Sequence, residues 1–254
     1  MIRVVLIGSG NIGHYFYNKF KNINTINLVE WYSKSSKKNN LGIEIKKLDN
    51  IKKLPEADIF IISVSDSNLK NVINKLKVKK SIIIHTSGFI DIKVLNRFKN
   101  FGVLYPLQTI TKNHNIINNS FPFLIESNNK KTKEFLEKFS SILKINYHYL
   151  NSIKRKRIHL AAIFVNNFSN HLFLIGEKIC KENNIPFKTL YPLIFETFEK
   201  IKLFSPKDIQ TGPAARGDID TILEHIDLLD DPKLKNIYMS LTESIKSENE
   251  EKKL

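Results

Sequence analysis

The chain has 254 residues, more than one minimal domain and enough for two. Its single cysteine, Cys180, excludes a disulfide framework or a cysteine-built metal site within the chain, and no metal site is expected. The 40 basic against 25 acidic residues give a formal charge of +15, which alone points toward nucleic acid. Only Arg3, Arg97, Arg155, Arg157 and Arg216 are arginines, however, and the densest cluster, 154–157, has no aromatic residues interleaved for base stacking. The lysines are otherwise scattered among Asn and Ile, so no nucleic-acid partner is expected. Uninterrupted apolar runs are a few residues long, short of the ~20 that cross a bilayer. The first residues run straight into a glycine motif, not a secretory signal. A soluble, cytoplasmic chain without membrane contact is expected.

In chain order, the first half alternates short β-branched runs with amphipathic stretches. Strands are expected at 2–7, 26–31, 58–64, 81–85, 102–104 and 121–125, with helices at about 12–21, 67–76, 91–98 and 130–142. The strand runs are nearly continuous in apolar residues, as in strands covered on both faces. Residues 146–150 add an edge strand. Past 151 the alternation stops: 155–182, 188–203, 219–229 and 233–247 read as helices, separated by Pro186, the turn-rich 205–213 and Asp231-Pro232. The expected fold class is α/β, a Rossmann-type parallel-sheet domain over 1–150 followed by an all-α C-terminal domain over 151–254.

Gly8-Ser9-Gly10-Asn11-Ile12-Gly13 is a G-x-G-x-x-G after a strand and opening a helix. Gly8 permits the tight turn, Gly10 lets backbone approach a pyrophosphate, and Gly13 lets helix pack on strand. The N–H groups at Asn11 and Ile12 face the phosphates. Dinucleotide binding is expected, with a methyltransferase-like or empty nucleotide fold as the alternative. An NAD site usually ends its second strand in an acid. Here Glu30 lies within the strand, and the tip carries Ser33, Lys34 and Ser35, hydroxyls and a cation suited to a 2′-phosphate. That pattern favours NADP over a merely solvated loop. The third strand ends in Val64 and Ser65, whose backbone borders the ribose or nicotinamide side. Asp66 either joins them or caps the next helix.

Two clusters fall at strand C-termini on the same edge, His85-Thr86-Ser87-Gly88 and Tyr105-Pro106-Leu107-Gln108-Thr109. Thr86 and Ser87 suit a carboxylate or carbonyl oxygen, and Gln108 and Thr109 suit the nicotinamide carboxamide or the substrate. Loop and capping roles are the alternative. On the first long helix of the second half, His159, Asn166 and Asn170 stand at i, i+7 and i+11 with Ala162 between. Such a polar stripe is costly to bury unless it is paired or faces a cavity. It reads either as a proton donor with carbonyl-orienting amides or as a satisfied core histidine with two interhelix asparagines. Arg216 lies in the glycine-flanked stretch 211–218 of a chain that otherwise favours lysine. A planar bidentate donor there suits a carboxylate, a phosphate or a structural Asp, while Gly212, Pro213 and Asp218 are explained by helix capping.

GSGNIG, ISVSD, HTSGF, GVLYPLQT, IHLAAIFVNNFSNHL and TGPAARGD, in this order, resemble the Rossmann-like NADP oxidoreductases whose helical C-terminal half is a domain of unknown function. That group is related to ketopantoate reductase, pyrroline-carboxylate reductase and the beta-hydroxyacid dehydrogenase superfamily. The resemblance runs to about residue 245, and YPLQT and TGPAARGD are its specific parts. It implies an NADP domain, a helical domain that mediates homodimerisation, a substrate cleft between the two, and ketopantoate reduction among the activities. It sets Ser87 and Gly88 at the superfamily's substrate-holding loop. The superfamily's catalytic lysine has no lysine counterpart on the inward stripe; His159 lies near its place, with Asn166 or Asn167 where an asparagine often follows. The combined expectation is an NADPH-dependent reductase of a small carboxylate-bearing carbonyl or imine. His159 would donate the proton, Asn166 would orient the carbonyl, and Ser87 and Arg216 would hold the carboxylate. A nicotinamide-nucleotide-binding protein without turnover is the alternative.

Overall fold

The structure, a computed structural model, describes residues 1–34, 37–38, 44–48, 54–111 and 120–250. Its contacts separate two compact units, Met1–Leu172 and Phe173–Leu254. The first turns of the helical half, with His159 and Asn166, therefore belong to the unit that contains the sheet.

Among the described residues of the first unit, nine strands form one sheet in the order β3-β4-β2-β1-β5-β6-β7-β8-β9. They are β1 (Ile2–Ile7), β2 (Ile26–Ser33), β3 (Lys37–Lys38), β4 (Glu44–Lys47), β5 (Ile59–Ile62), β6 (Ile82–His85), β7 (Asn100–Pro106), β8 (Pro122–Ser127) and β9 (Asn146–Tyr149). The run β2-β1-β5-β6-β7 is parallel. Val4, Leu6, Ile59, Ile61, Ile82 and Ile84 face one core layer; Val5, Ile7, Phe60, Ile62 and Ile83 face the other. This period-two division accounts for the continuous apolar runs. The layers are covered by α1 (Asn11–Phe20), α2 (Asp66–Lys75) and α3 (Lys130–Leu143).

Several elements differ from expectation. β8 runs antiparallel to β7; no amphipathic stretch separates them in sequence, and the chain turns back instead of crossing over. β3 and β4, too short and lysine-rich to register as strands, add an edge beside β2. The expected helix at 91–98 is a short 3₁₀ turn, Ile92–Leu95, capped by the Asp91 carboxylate. β2 continues past 31 to Ser33.

The long helix begins at Ser152, capped by Asn151, and comprises α4 (Ser152–Ala162), a π-helical segment Ile163–Phe168 and α5 (Ser169–Glu182). At 31 residues, Ser152–Glu182 is long and apolar enough to cross a membrane. The criterion is one of length and composition: uncharged Asn and Ser keep the uninterrupted apolar runs short without making the stretch polar on average. The remaining elements among the described residues are a 3₁₀ turn (Phe187–Leu190), α6 (Tyr191–Leu203), α7 (Pro213–Arg216), α8 (Ile219–Asp227) and α9 (Pro232–Glu250). His225 Nδ1 and Tyr238 Oη, 2.8 Å apart, tie α8 to α9. Cys180 is buried, while large apolar side chains such as Phe195, Leu203 and Leu228 stand exposed.

Candidate active site

The parallel strands β1, β5, β6 and β7 bring their C-terminal ends to one edge. The backbone ladder continues past those ends, with Ser63 N–H donating to Ile7 O at 2.7 Å and Thr86 N–H to Ile62 O at 3.2 Å. Ligands of open α/β sheets bind at this edge.

The glycine motif occupies the end of β1. Gly8 has φ +114°, and a Cβ there would lie 2.0 Å from Ser63 O; a Cβ on Gly13 would lie 2.1 Å from Gly8 O. Both positions exclude a side chain. Gly10 is different, with nothing within 4 Å of where its Cβ would stand, so its backbone faces open space. Trp31, the one tryptophan of the chain, lies beneath the turn and donates its indole N–H to Gly8 O at 2.8 Å. The turn opens α1 with Gly10 at the N-cap, no side-chain cap and no acid in the first turn. The first N–H groups, at Asn11 and Ile12, thus retain the positive end of the helix for an anion. A cleft of about 420 Å³ lies over the turn, lined among others by Gly8, Gly10, Ser33, Lys34, Val64 and Ser65. Ser65 is the N-cap residue of α2, which makes Asp66 the first helical residue and not the cap. Glu30 lies three residues before the end of β2, its Oε1 taken by Lys46 Nζ at 2.6 Å. No acid therefore occupies the strand tip. Ser35 lies outside the described residues.

A second pocket, of about 510 Å³, is lined by Tyr105, Leu107, Gln108, Thr109, Ile158, His159, Ala161, Ala162, Ile163, Val165, Asn166 and Asn167. Its size and its mixture of apolar wall and convergent polar groups suit a small ligand. Gln108 lies here and not in the glycine cleft, with Oε1 accepting from Thr109 N–H at 2.9 Å. The π segment reshapes the expected stripe. One extra residue in the turn brings both Asn166 and Asn167 to the wall, and Asn170 is not among its lining; such segments recur at functional sites. His159 Nδ1 is 3.0 Å from Tyr105 Oη, and among the described residues its Nε2 has no hydrogen-bond partner.

Three substrate-holding candidates have local roles. Ser87 Oγ accepts backbone N–H bonds from Phe89 at 3.1 Å and Ile90 at 2.9 Å, and it stands outside the lining of both pockets. Thr86 is buried and donates to Ile62 O at 3.4 Å. Arg216 ends α7 in the second unit, 3.5 Å from Asp218 and largely exposed. This contact is the structural-Asp role that the sequence allowed.

Arg155, within the basic run 154–157, is wholly buried. Its guanidinium donates to the Glu126 carboxylate, to Ile90 O and to Ser152 Oγ, and Glu126 also accepts from Ser152 N–H at 2.9 Å. The cluster pins the start of α4 to β8 and to the Ser87 turn. Arg155 lies four residues, one turn, before His159, and that spacing was the signal available in the sequence. Next to it His85 is buried; burial first, then the Arg155 charge, hold its pKa down to about 3.

The Domain of unknown function (DUF2520) family matches residues 121–245. Among solved structures, BF3122 of Bacteroides fragilis, a candidate NADP oxidoreductase, is similar at 31% identity and TM-score 0.82, over 97% of this chain and 98% of its own. TM1727 of Thermotoga maritima shares the fold at 18% identity and TM-score 0.67, over 99% of this chain and all of its own. So does the Plasmodium falciparum pyrroline carboxylate reductase with NADP bound, at 15% identity and TM-score 0.56 over 98% of each chain. No curated protein matches the sequence.

Proposed function

The chain belongs to the Rossmann-like NADP oxidoreductase family that carries the DUF2520 helical half, and we propose that it is an NADPH-dependent reductase of a small carbonyl or imine compound. The observation that carries this reading is a convergence on one edge of one sheet. An uncapped glycine turn and a pocket walled by an imidazole and three amides share that edge.

The cleft fits NADP. Gly8 and Gly10 would admit the pyrophosphate, the first N–H groups of α1, at Asn11 and Ile12, would face it, and Ser33 and Lys34, which line the same cleft, would take the 2′-phosphate. When bound, the nicotinamide supplies a hydride. The protein then has to hold the acceptor carbon in place and neutralise the charge that develops on its oxygen or nitrogen. His159 donates that proton from Nε2, and Asn166 orients the group through its amide. Small carboxylate-bearing carbonyls and cyclic imines, ketopantoate among them, are the substrates we favour, on the family resemblance. NADPH oxidation followed across a panel of 2-oxo acids and cyclic imines tests this. A responsive substrate should lose ~10²–10⁴-fold in kcat with His159→Ala, at nearly unchanged NADPH affinity. Tight NADPH binding with no turnover across the panel would instead favour a binding protein without catalysis. Full activity in His159→Ala would remove the histidine from the chemistry.

We further propose a homodimer formed through the second unit. Leu193, Phe195, Phe198, Leu203 and Leu228 are each more than half exposed, more large apolar surface than a monomer usually leaves in water.

A further inference from the structure

The proton route behind His159 carries an inference that rests on the donor reading above. Tyr105 comes from β7 and His159 from α4, and their rings meet edge-on at 5.6 Å and 81°, with Oη 3.0 Å from Nδ1. That approach depends on Gly88. A Cβ there would lie 2.6 Å from His159 Nδ1 and 2.8 Å from Tyr105 Cζ. Gly88 is not among the glycines with positive φ. Its backbone would therefore admit an alanine, and the space taken by the two rings is what excludes one.

The direction of the Tyr105–His159 bond follows from acidity. Burial, and after it the Asp66 charge, raise the pKa of Tyr105, so the phenol keeps its proton at neutral pH. A protonated phenol beside an imidazole either donates to the Nδ1 lone pair or accepts from Nδ1–H. The phenol is the better donor and the imidazole nitrogen the better base, so the phenol donates. The neutral ring must then carry its own proton on Nε2, the nitrogen with no partner among the described residues.

We propose that Tyr105 is a positioning residue that holds neutral His159 with its proton on Nε2, and that Gly88 provides the room for it. The same bond restocks the donor. As hydride reaches the carbon, O–H forms while Nε2–H breaks, and Nδ1–H forms while the Tyr105 O–H breaks. Water then returns a proton to Nε2 while Nδ1–H breaks and the Tyr105 O–H re-forms, which restores the starting tautomer. An alkoxide is a far stronger base than a phenolate, so the relay runs downhill even with a buried tyrosine.

Nitrogen NMR of the full-length protein labelled with ¹⁵N-histidine, at about pH 8 where an ordinary histidine is neutral, tests this without a substrate. His159→Gln assigns the signals. The expected spectrum has the His159 proton on Nε2 and Nδ1 shifted as a hydrogen-bonded acceptor. Tyr105→Phe and Gly88→Ala should each move Nδ1 toward the value of a free imidazole, while circular dichroism and NADPH affinity hold. A wild-type ring protonated on Nδ1, or an Nδ1 signal that Tyr105→Phe leaves in place, would overturn the proposal. Once assigned, the wild-type spectrum decides even if Tyr105→Phe or Gly88→Ala fails to fold. Failure of the donor reading looks different: the Nε2 form is present, yet His159→Ala oxidises NADPH with a responsive substrate at the full rate.

Discussion

His85 bears on acid stability more directly than any other residue of the site. Its folded pKa of about 3 lies below the ordinary 6.5 because burial, and then Arg155, disfavour its charged form. Above pH 6.5 neither state of the chain holds the proton and the shift contributes nothing. Between 6.5 and about 3 the unfolded chain takes up a proton that the fold refuses, so stability falls with pH by ~1.4 kcal/mol per unit. His85→Asn keeps an acceptor for the Ser87 N–H, which donates to His85 Nδ1 at 3.2 Å, but does not titrate. Urea unfolding at about pH 7 and pH 4.5 should show the variant losing less stability on acidification than the wild type. Equal losses would mean that other groups carry the acid sensitivity.

At the level of elements, α4 holds the proposed donor, and Arg155 holds α4. Removing the guanidinium leaves Glu126, a largely buried carboxylate, without its partner. Arg155→Met is expected to cost ~3–5 kcal/mol in urea unfolding, with much of the loss recovered when Glu126→Leu is added. A loss below ~1 kcal/mol would mean that the cluster does not anchor the helix. These elements also mark how far the sequence could be read. The glycine turn was legible because backbone geometry permits no other residue at Gly8 and Gly13, and the inner strands because burial on both faces requires unbroken Ile and Val. The His159–Asn166 stripe was legible only in part. Its spacing assumed α-helical turns, and the π segment has no apolar signature. Arg155 was hidden because a buried arginine and a solvated one look alike within a basic run. Tyr105, although inside the GVLYPLQT motif, acquires its role only when β7 and α4 meet over Gly88.

For the molecule as a whole, the apolar face of the second unit and the cofactor cleft of the first make separate claims. Light scattering coupled to size exclusion should give about twice the 29.5 kDa chain mass. Charged substitutions at Phe195 and Leu203 should shift it toward one chain, and a monomeric wild type would remove the dimer. The central claim is that the glycine turn holds a phosphorylated nicotinamide dinucleotide, and titration calorimetry with NADPH and NADH tests it most directly. One NADPH per chain should bind, at least about tenfold (~1.4 kcal/mol) more tightly than NADH, with Lys34→Ala narrowing that gap. No heat from either dinucleotide at millimolar concentration would contradict it, and equal affinity for the two would contradict the phosphate pocket at Ser33 and Lys34.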